Sequence, residues 1–333
     1  MSELAASLAP PRPRMGRIAL AAVAAVIVLA VLPKFLTSYQ TLLLIYGLDM
    51  AIATLGFNLL LGYTGLLSFG HSAFFGAGAY TVALLVQYLE IRSMEVYLLV
   101  GILASAFTAV VFGFLCVRHT RFYFAILTLA LSQVLWSLAL KLFWLTGGTD
   151  GMRVPVPRLL GGLIGGGGFS RFIASYYYYV LVVFIAVVAF MWVVVHSPFG
   201  KALQAIRDNE TRAQFLGLSI HRYRYAAFLI SGTVTGLAGV LWVPLNALAT
   251  PDILYWPFSG EIVFATLLGG FRTFTGPIIG GIFYTFLKTY AVAETQYWQF
   301  LLGVVLVVLI LLLPTGIVGG IGSAIHRWRG ERR

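Results

Sequence analysis

The chain has 333 residues, 60% of them hydrophobic and only 10% charged, where a soluble globular domain carries about 25% charge. Its mean hydropathy is +0.94, and a water-soluble protein of this size could not hide so much apolar surface. A soluble enzyme, a disordered tail and a secreted disulfide scaffold are therefore excluded, and the bulk of the chain belongs in a bilayer. The net charge of +11 is too scattered for the clustered basic face that nucleic acid needs, so no nucleic-acid partner is expected. The single cysteine, Cys116, lies in an apolar run, cannot form an internal disulfide, and reads as a small buried core residue.

A spanning helix needs about 20 mostly apolar residues. In chain order the candidates are 18–36, 41–61, 66–89, 96–117, 122–145, 176–195, 225–248, 259–271, 276–293 and 298–318. The first follows Arg12, Arg14 and Arg17 like the charged start of a signal peptide, but no small-residue cleavage site follows Leu36, so it reads as a retained anchor. The expectation is an all-α integral membrane protein of about ten transmembrane or re-entrant helices. Residues 1–17 form a cytoplasmic tail, 18–320 the polytopic domain and 321–333 a basic cytoplasmic tail.

Orientation follows the Lys/Arg bias. With the N-terminus inside and strict alternation, 15 of the 22 basic residues fall on the inner side and 5 in outer loops, while Lys141 and Lys288 sit near outer helix ends. Ten crossings also place both arginine-rich termini inside.

The span 259–271 is the shortest, because thirteen residues at about 1.5 Å each fall short of a hydrocarbon core of roughly 30 Å. Short, glycine-interrupted segments point to a transport path. Two stretches qualify. One is Gly62-Tyr63-Thr64-Gly65 with Ser68-Phe69-Gly70-His71-Ser72, and the other runs from Gly269-Gly270 through Gly276-Pro277 to Gly280-Gly281. With Asn58 and Glu261, their members Gly62, Gly65, Ser68, Gly70, His71, Ser72, Gly269 and Gly270 are the candidate path residues.

Two loops carry further information. The outer segment 146–175 is glycine-rich and turn-forming. The inner segment 196–224 holds a helical pattern over 202–216, with Leu203, Ile206, Ala213 and Leu216 on one stripe and Gly217 as the stop. Such an amphipathic helix either lies on lipid headgroups or docks a cytoplasmic partner. The mixture of Asp208 and Glu210 among arginines suits a protein groove better than an anionic membrane.

Reactive chemistry is sparse. The only Gly-Lys pair, Gly200-Lys201, lacks the upstream glycine of a phosphate loop because position 195 is Val195. No metal-ligand spacing joins the five histidines, and His119, His196, His221 and His326 fall at inner membrane edges. His71, beside Ser68 and Ser72, hints only weakly at an intramembrane hydrolase and reads as packing or path-lining. Intramembrane acids are functional hypotheses by default. Asp49 is a proton-relay candidate without a chain of acidic partners. Glu261 could line an outer vestibule and meet a ligand's ammonium group, and Glu294 reads as a solvated turn residue. Thr54 and Asn58, at i and i+4, are expected to bond across packed helices.

The run Leu55–Tyr80, containing Gly62-Tyr63-Thr64-Gly65-Leu66-Leu67-Ser68-Phe69-Gly70-His71-Ser72-Ala73-Phe74-Phe75-Gly76-Ala77-Gly78, resembles the signature of branched-chain amino-acid ABC transporter permeases, of the LivM type rather than the LivH type. Thr146-Gly147-Gly148-Thr149-Asp150-Gly151 resembles the family's outer loop. Ser197-Pro198-Phe199-Gly200-Lys201-Ala202-Leu203-Gln204-Ala205-Ile206-Arg207-Asp208-Asn209-Glu210, with Ala213 and Leu216-Gly217, resembles its cytoplasmic coupling segment. Gly236-Leu237-Ala238-Gly239, Leu268-Gly269-Gly270 and Thr275-Gly276-Pro277 resemble its later spans. The resemblance covers roughly 40–320 in order.

It implies the ABC importer permease fold in a bacterial inner membrane, and no enzyme on this chain. The implied partners are a LivH-type permease, two cytoplasmic ATPases that bind the ATP and Mg, and an external or periplasmic binding protein. Ala205, Arg207, Asp208, Asn209, Glu210, Ala213 and Gly217 would couple to the ATPases. Phe215 departs from a position the family keeps small. A urea or short-amide permease of the same superfamily is the runner-up, ahead of a proton-coupled secondary transporter.

Overall fold

The computed structural model describes residues 15–119, 121–159, 168–313 and 315–320. Both basic tails, with Arg12, Arg14 and His326, fall outside these residues, apart from the helical 15–17 at the N-terminal edge. Helix α1 (Met15–Val31) leads into α2 (Ser38–Asn58). Thr37 opens α2 with a capping box: its hydroxyl accepts the Gln40 N–H at 3.3 Å and Gln40 Oε1 accepts the Thr37 N–H at 3.0 Å. Helix α2 widens into a π-turn over Leu59–Thr64, which Gly65 ends at φ 73°. Residues 65–70 are not helical, and α3 (His71–Leu89) starts five residues later than the expected span 66–89. The apolar run continues across this break, so hydropathy alone could not show it.

Helices α4 (Met94–Cys116), α5 (Arg121–Lys141) and α6 (Gly168–His196) follow. The segment expected as one helix over 202–216 is two, α7 (Pro198–Asp208) and α8 (Glu210–Phe215), broken at Asn209 with φ −157° and ψ 103°. Asn209 caps α8 by accepting the Arg212 N–H at 2.8 Å. Gly217 stops α8 as expected, at φ 82°: its N–H reaches Gln214 O at 2.9 Å and the Leu218 N–H reaches Ala213 O at 3.2 Å. Then come α9 (Ile220–Asn246), α10 (Trp256–Gly269), α11 (Thr275–Glu294) and α12 (Trp298–Leu312). The loop between α5 and α6 is tied to the end of α9 by two short antiparallel strands, β1 (Met152–Arg153) and β2 (Leu248–Ala249).

Among the described residues six helices are long and apolar enough to cross a membrane. Helix α10 keeps 14 residues, about 21 Å of rise. Helix α2 forms the centre of the bundle, packed by α6, α9, α10 and α11, while α3 packs against α9. The most apolar helices are not the most buried ones. Helices α4, α5 and α6 expose most of their surface, whereas α2 and α9 are largely enclosed. In lipid an outward apolar face costs nothing, and close packing selects small residues instead. At Gly239 an added Cβ would lie 2.7 Å from the carbonyl carbon of Phe75, so only glycine lets α3 and α9 approach this closely.

Candidate functional site

The break between α2 and α3 leaves a helix N-terminus deep inside the bundle. Unpaired N–H groups there would be costly, since neither lipid nor water reaches them. Side chains from two other helices supply partners. The Phe69 N–H donates to Thr128 Oγ1 at 3.2 Å and the Ser72 N–H to Ser259 Oγ at 2.8 Å. Ser259 Oγ donates to Ser72 Oγ at 2.8 Å, and Ser72 Oγ donates to Leu254 O at 3.1 Å.

His71 is fully buried in the same knot. Ser231 Oγ donates to Gly56 O at 2.7 Å, so its oxygen must accept from His71 Nε2–H at 2.8 Å. His71 Nδ1 is then the acceptor for Ser68 Oγ–H at 3.1 Å, and Ser68 Oγ accepts the Gly70 N–H at 3.3 Å. Phe57 and Phe74 close over the ring edge-on, with centroids 4.8 and 5.5 Å away. Both ring nitrogens of His71 and the hydroxyls of Ser68 and Ser231 thus link the break to α3, α9 and α2.

The two glycine-rich stretches meet. The Asn58 amide donates to Thr273 O at 3.5 Å, and Thr54 Oγ1 lies 2.8 Å from Pro277 O, so both reach across to the α10–α11 turn as expected. Gly62 faces Phe271 O, and Gly70 faces Thr128 O. Gly269 packs on Gly276 and Gly280, while Gly270 adopts φ 108° at the end of α10. Asn58, Gly62, Gly269 and Gly270 therefore share one region, and Gly65, Ser68, Gly70, His71 and Ser72 form the adjoining break.

The pair α7 and α8 is fastened to this region. Arg207 on α7 donates to the carbonyl of Gly62 and holds Asp208 Oδ1 at 3.0 Å. Its side chain also covers Gly65, where a Cβ would come within 2.9 Å of Arg207 Cγ. Glu210 on α8 accepts both terminal nitrogens of Arg224 on α9, at 3.0 and 2.9 Å. This fork is the geometry in which Arg–carboxylate pairs are strongest, and Arg224 is buried. Phe199 stacks on Tyr223 with centroids 5.7 Å apart.

Leu203, Ile206 and Ala213 point inward as the stripe predicted, but Leu216 does not. With Phe215 it lies exposed, at 73% and 88% of full accessibility, because α8 ends at Phe215 and Leu216 is its C-cap, beyond the last helical turn. Ala205 and Gly217 lie on the same outer side, and nothing stands within 4 Å of where a Gly217 Cβ would be.

At the other end of α9 lies a cavity of about 600 Å³. Glu261 on α10 and Lys288 on α11 line it and pair at 2.7 Å. Phe75, Trp242, Phe258 and Trp298 supply apolar walls. Sequence reasoning placed Glu261 near a vestibule but missed Lys288, which the helix-end position disguised as an orientation signal. Asp49 is buried on α2 near Tyr46 and Tyr176, and neither carboxyl oxygen has a hydrogen-bond partner among the described residues. It does not line the cavity. His196 ends α6, with Nδ1 2.9 Å from Trp192 O, and Cys116 is buried.

Residues 39–310 match the family described as the branched-chain amino acid transport system permease component. The chain belongs to this family. Among its relatives is the high-affinity branched-chain amino acid transport system permease protein LivM of Escherichia coli (strain K12). It is 29% identical over 317 residues, covering 88% of this chain and 73% of the relative. LivM of Salmonella typhimurium gives the same identity and coverage. The LivH permease protein of Salmonella typhimurium is 25% identical over 291 residues, covering 82% of this chain and 92% of the relative. The family member described here is thus of the LivM type. No solved structure gives a significant match.

Proposed function

We propose that this chain is the LivM-type permease subunit of an ATP-driven importer that carries branched-chain, hydrophobic amino acids across a bacterial inner membrane. The observation that carries the reading is the two-helix segment Pro198–Phe215. It is amphipathic, it bears an exposed apolar tip, and it is tied by Arg207 to the α2 break and by Glu210 to α9. Such a segment takes a push at its exposed side and delivers it to two membrane helices at once. Two cytoplasmic ATPases, which bind ATP and Mg, supply the push. A LivH-type permease completes the pathway and an external binding protein delivers the substrate.

In this reading the chain crosses the membrane ten times with both termini inside. The distribution of basic residues, 15 inside against 5 in outer loops, supports that orientation. The end of α2 meets the turn at 270–274 through Asn58 and Gly62, next to the break at 65–70, so a shift of α7 reaches both. Closure of the ATPases moves α7 and α8 as a rigid pair, and the pathway alternates between faces at the small-residue helices. The family match does not favour the urea or short-amide alternative. The proton-coupled alternative rests on Asp49 alone, which has no acidic relay partner among the described residues.

The test is uptake by proteoliposomes that hold the permease pair and ATPases, with binding protein outside and ATP within. Labelled leucine should accumulate only when all components and ATP are present. Equal leucine uptake by this chain alone under a proton gradient would overturn the reading.

A further inference from the structure

Buried charge is costly unless it is paired, and a cavity that keeps an ion pair in its wall has already met that cost. Glu261 and Lys288 form such a pair, with side chains 16% and 33% exposed, inside a cavity of about 600 Å³. They sit on neighbouring helices and pair within the same space, whose lining also includes the exposed Asp252. Beside them the wall is aromatic: Phe75 and Phe258 pack with centroids 4.6 Å apart, and Phe75 meets Trp242 at 5.9 Å. The volume falls within the roughly 300–1,000 Å³ range of small-molecule sites.

We infer that this cavity is a low-affinity binding site within the permease for zwitterionic α-amino acids with apolar side chains. The ligand's ammonium group exchanges into the place of Lys288 against the Glu261 carboxylate. Its carboxylate takes the Lys288 ammonium, and its side chain lies on Phe75, Trp242 and Phe258. A net-neutral zwitterion leaves the net charge of the site unchanged and replaces one ion pair by two. A cation or an anion can satisfy only one member of the Glu261–Lys288 pair. Because the space is roomy, one methylene more or less matters little, whereas a missing charge matters greatly, as for sites built on polar contacts. The site therefore selects the amino-acid class rather than one member. It deepens the import reading above and rests on it for the direction of flow. Weak binding suits a conduction site, which must also release its ligand.

The experiment uses the full chain with its permease partner and ATPases in nanodiscs, without binding protein. Tryptophan emission, with a W242F control, is titrated with leucine, 4-methylpentanoate and leucinol. Leucine should give a saturable change that 4-methylpentanoate and leucinol reproduce only at ten-fold or higher concentration. E261Q and K288M should each weaken leucine at least ten-fold. The charge-swapped E261K/K288E pair, which keeps a bridge between α10 and α11 and so guards against misfolding, should weaken it likewise.

No saturable response to leucine, equal response to the two analogues, or unchanged affinity in the swapped pair would each overturn the inference. The titration decides the site, and ATP-driven uptake of leucine decides the import reading. A parent that imports leucine while its titration fails loses only this inference, and one that binds leucine here without importing it loses only the import reading.

Discussion

Arg207 offers the sharpest test of how work enters the membrane. Its guanidinium joins α7 to the Gly62 carbonyl at the end of the π-turn, and its stem covers Gly65. Arg207→Ala removes a charge-assisted hydrogen bond and the packing over a left-handed glycine. Hydrogen bonds to charged groups contribute about 1.5–3 kcal/mol. The side chain is 33% exposed, so solvent screening reduces this to roughly 1–2 kcal/mol, a factor of about 5–30 in an equilibrium.

That free energy is lost from the link between α7 and the break, while the exposed tip at Phe215 and Leu216 is untouched. Proteoliposome uptake of leucine per ATP hydrolysed should therefore fall about 5–30-fold, with the ATPases still co-purifying. Arg207→Lys, which restores a donor without the planar fork, should recover part of the loss. Unchanged coupling in the alanine variant would refute the strut. So would loss of the ATPases from the purified complex, since that would make Arg207 a docking residue instead.

Three further outcomes follow from particular contacts. F215S/L216S removes the exposed apolar tip, so co-purification of the ATPases should weaken while the melting temperature of the permease stays within a degree or two of the parent, on the order of a neutral surface change. Ser231→Ala leaves the His71 Nε2–H unpaired in the bundle centre and removes the side-chain bond to the Gly56 carbonyl; it should cost about 1–3 kcal/mol, read as an earlier thermal transition in detergent. Asp49→Asn keeps the shape of a side chain whose oxygens have no hydrogen-bond partner among the described residues, so ATP-driven uptake should persist. A severe loss of uptake at parental protein levels would show that the Asp49 charge has a role the import reading does not give it.

Much of this protein was legible in one dimension. Composition placed it in a bilayer, and the amphipathic pattern with Gly217 marked the segment between α6 and α9. Local rules reach that far because capping, turns and hydropathy act within a few residues. The break at Asn209 was itself a local signal, an Asn followed by Glu210, and the single-helix reading passed through it.

What the chain order could not decide is which faces meet. In lipid the buried and exposed faces of a helix are both apolar, so the 3.6-residue period that marks a core face in water is silent for α2 through α6. The meeting of Asn58 with Thr273 and the bridge from Arg207 to Gly62 arose only from helix packing over long separations. So did the pairing of Glu261 with Lys288 at the mouth of one cavity. Sequence specified the segment between α6 and α9, and tertiary structure decided where the helices break and what that segment is joined to.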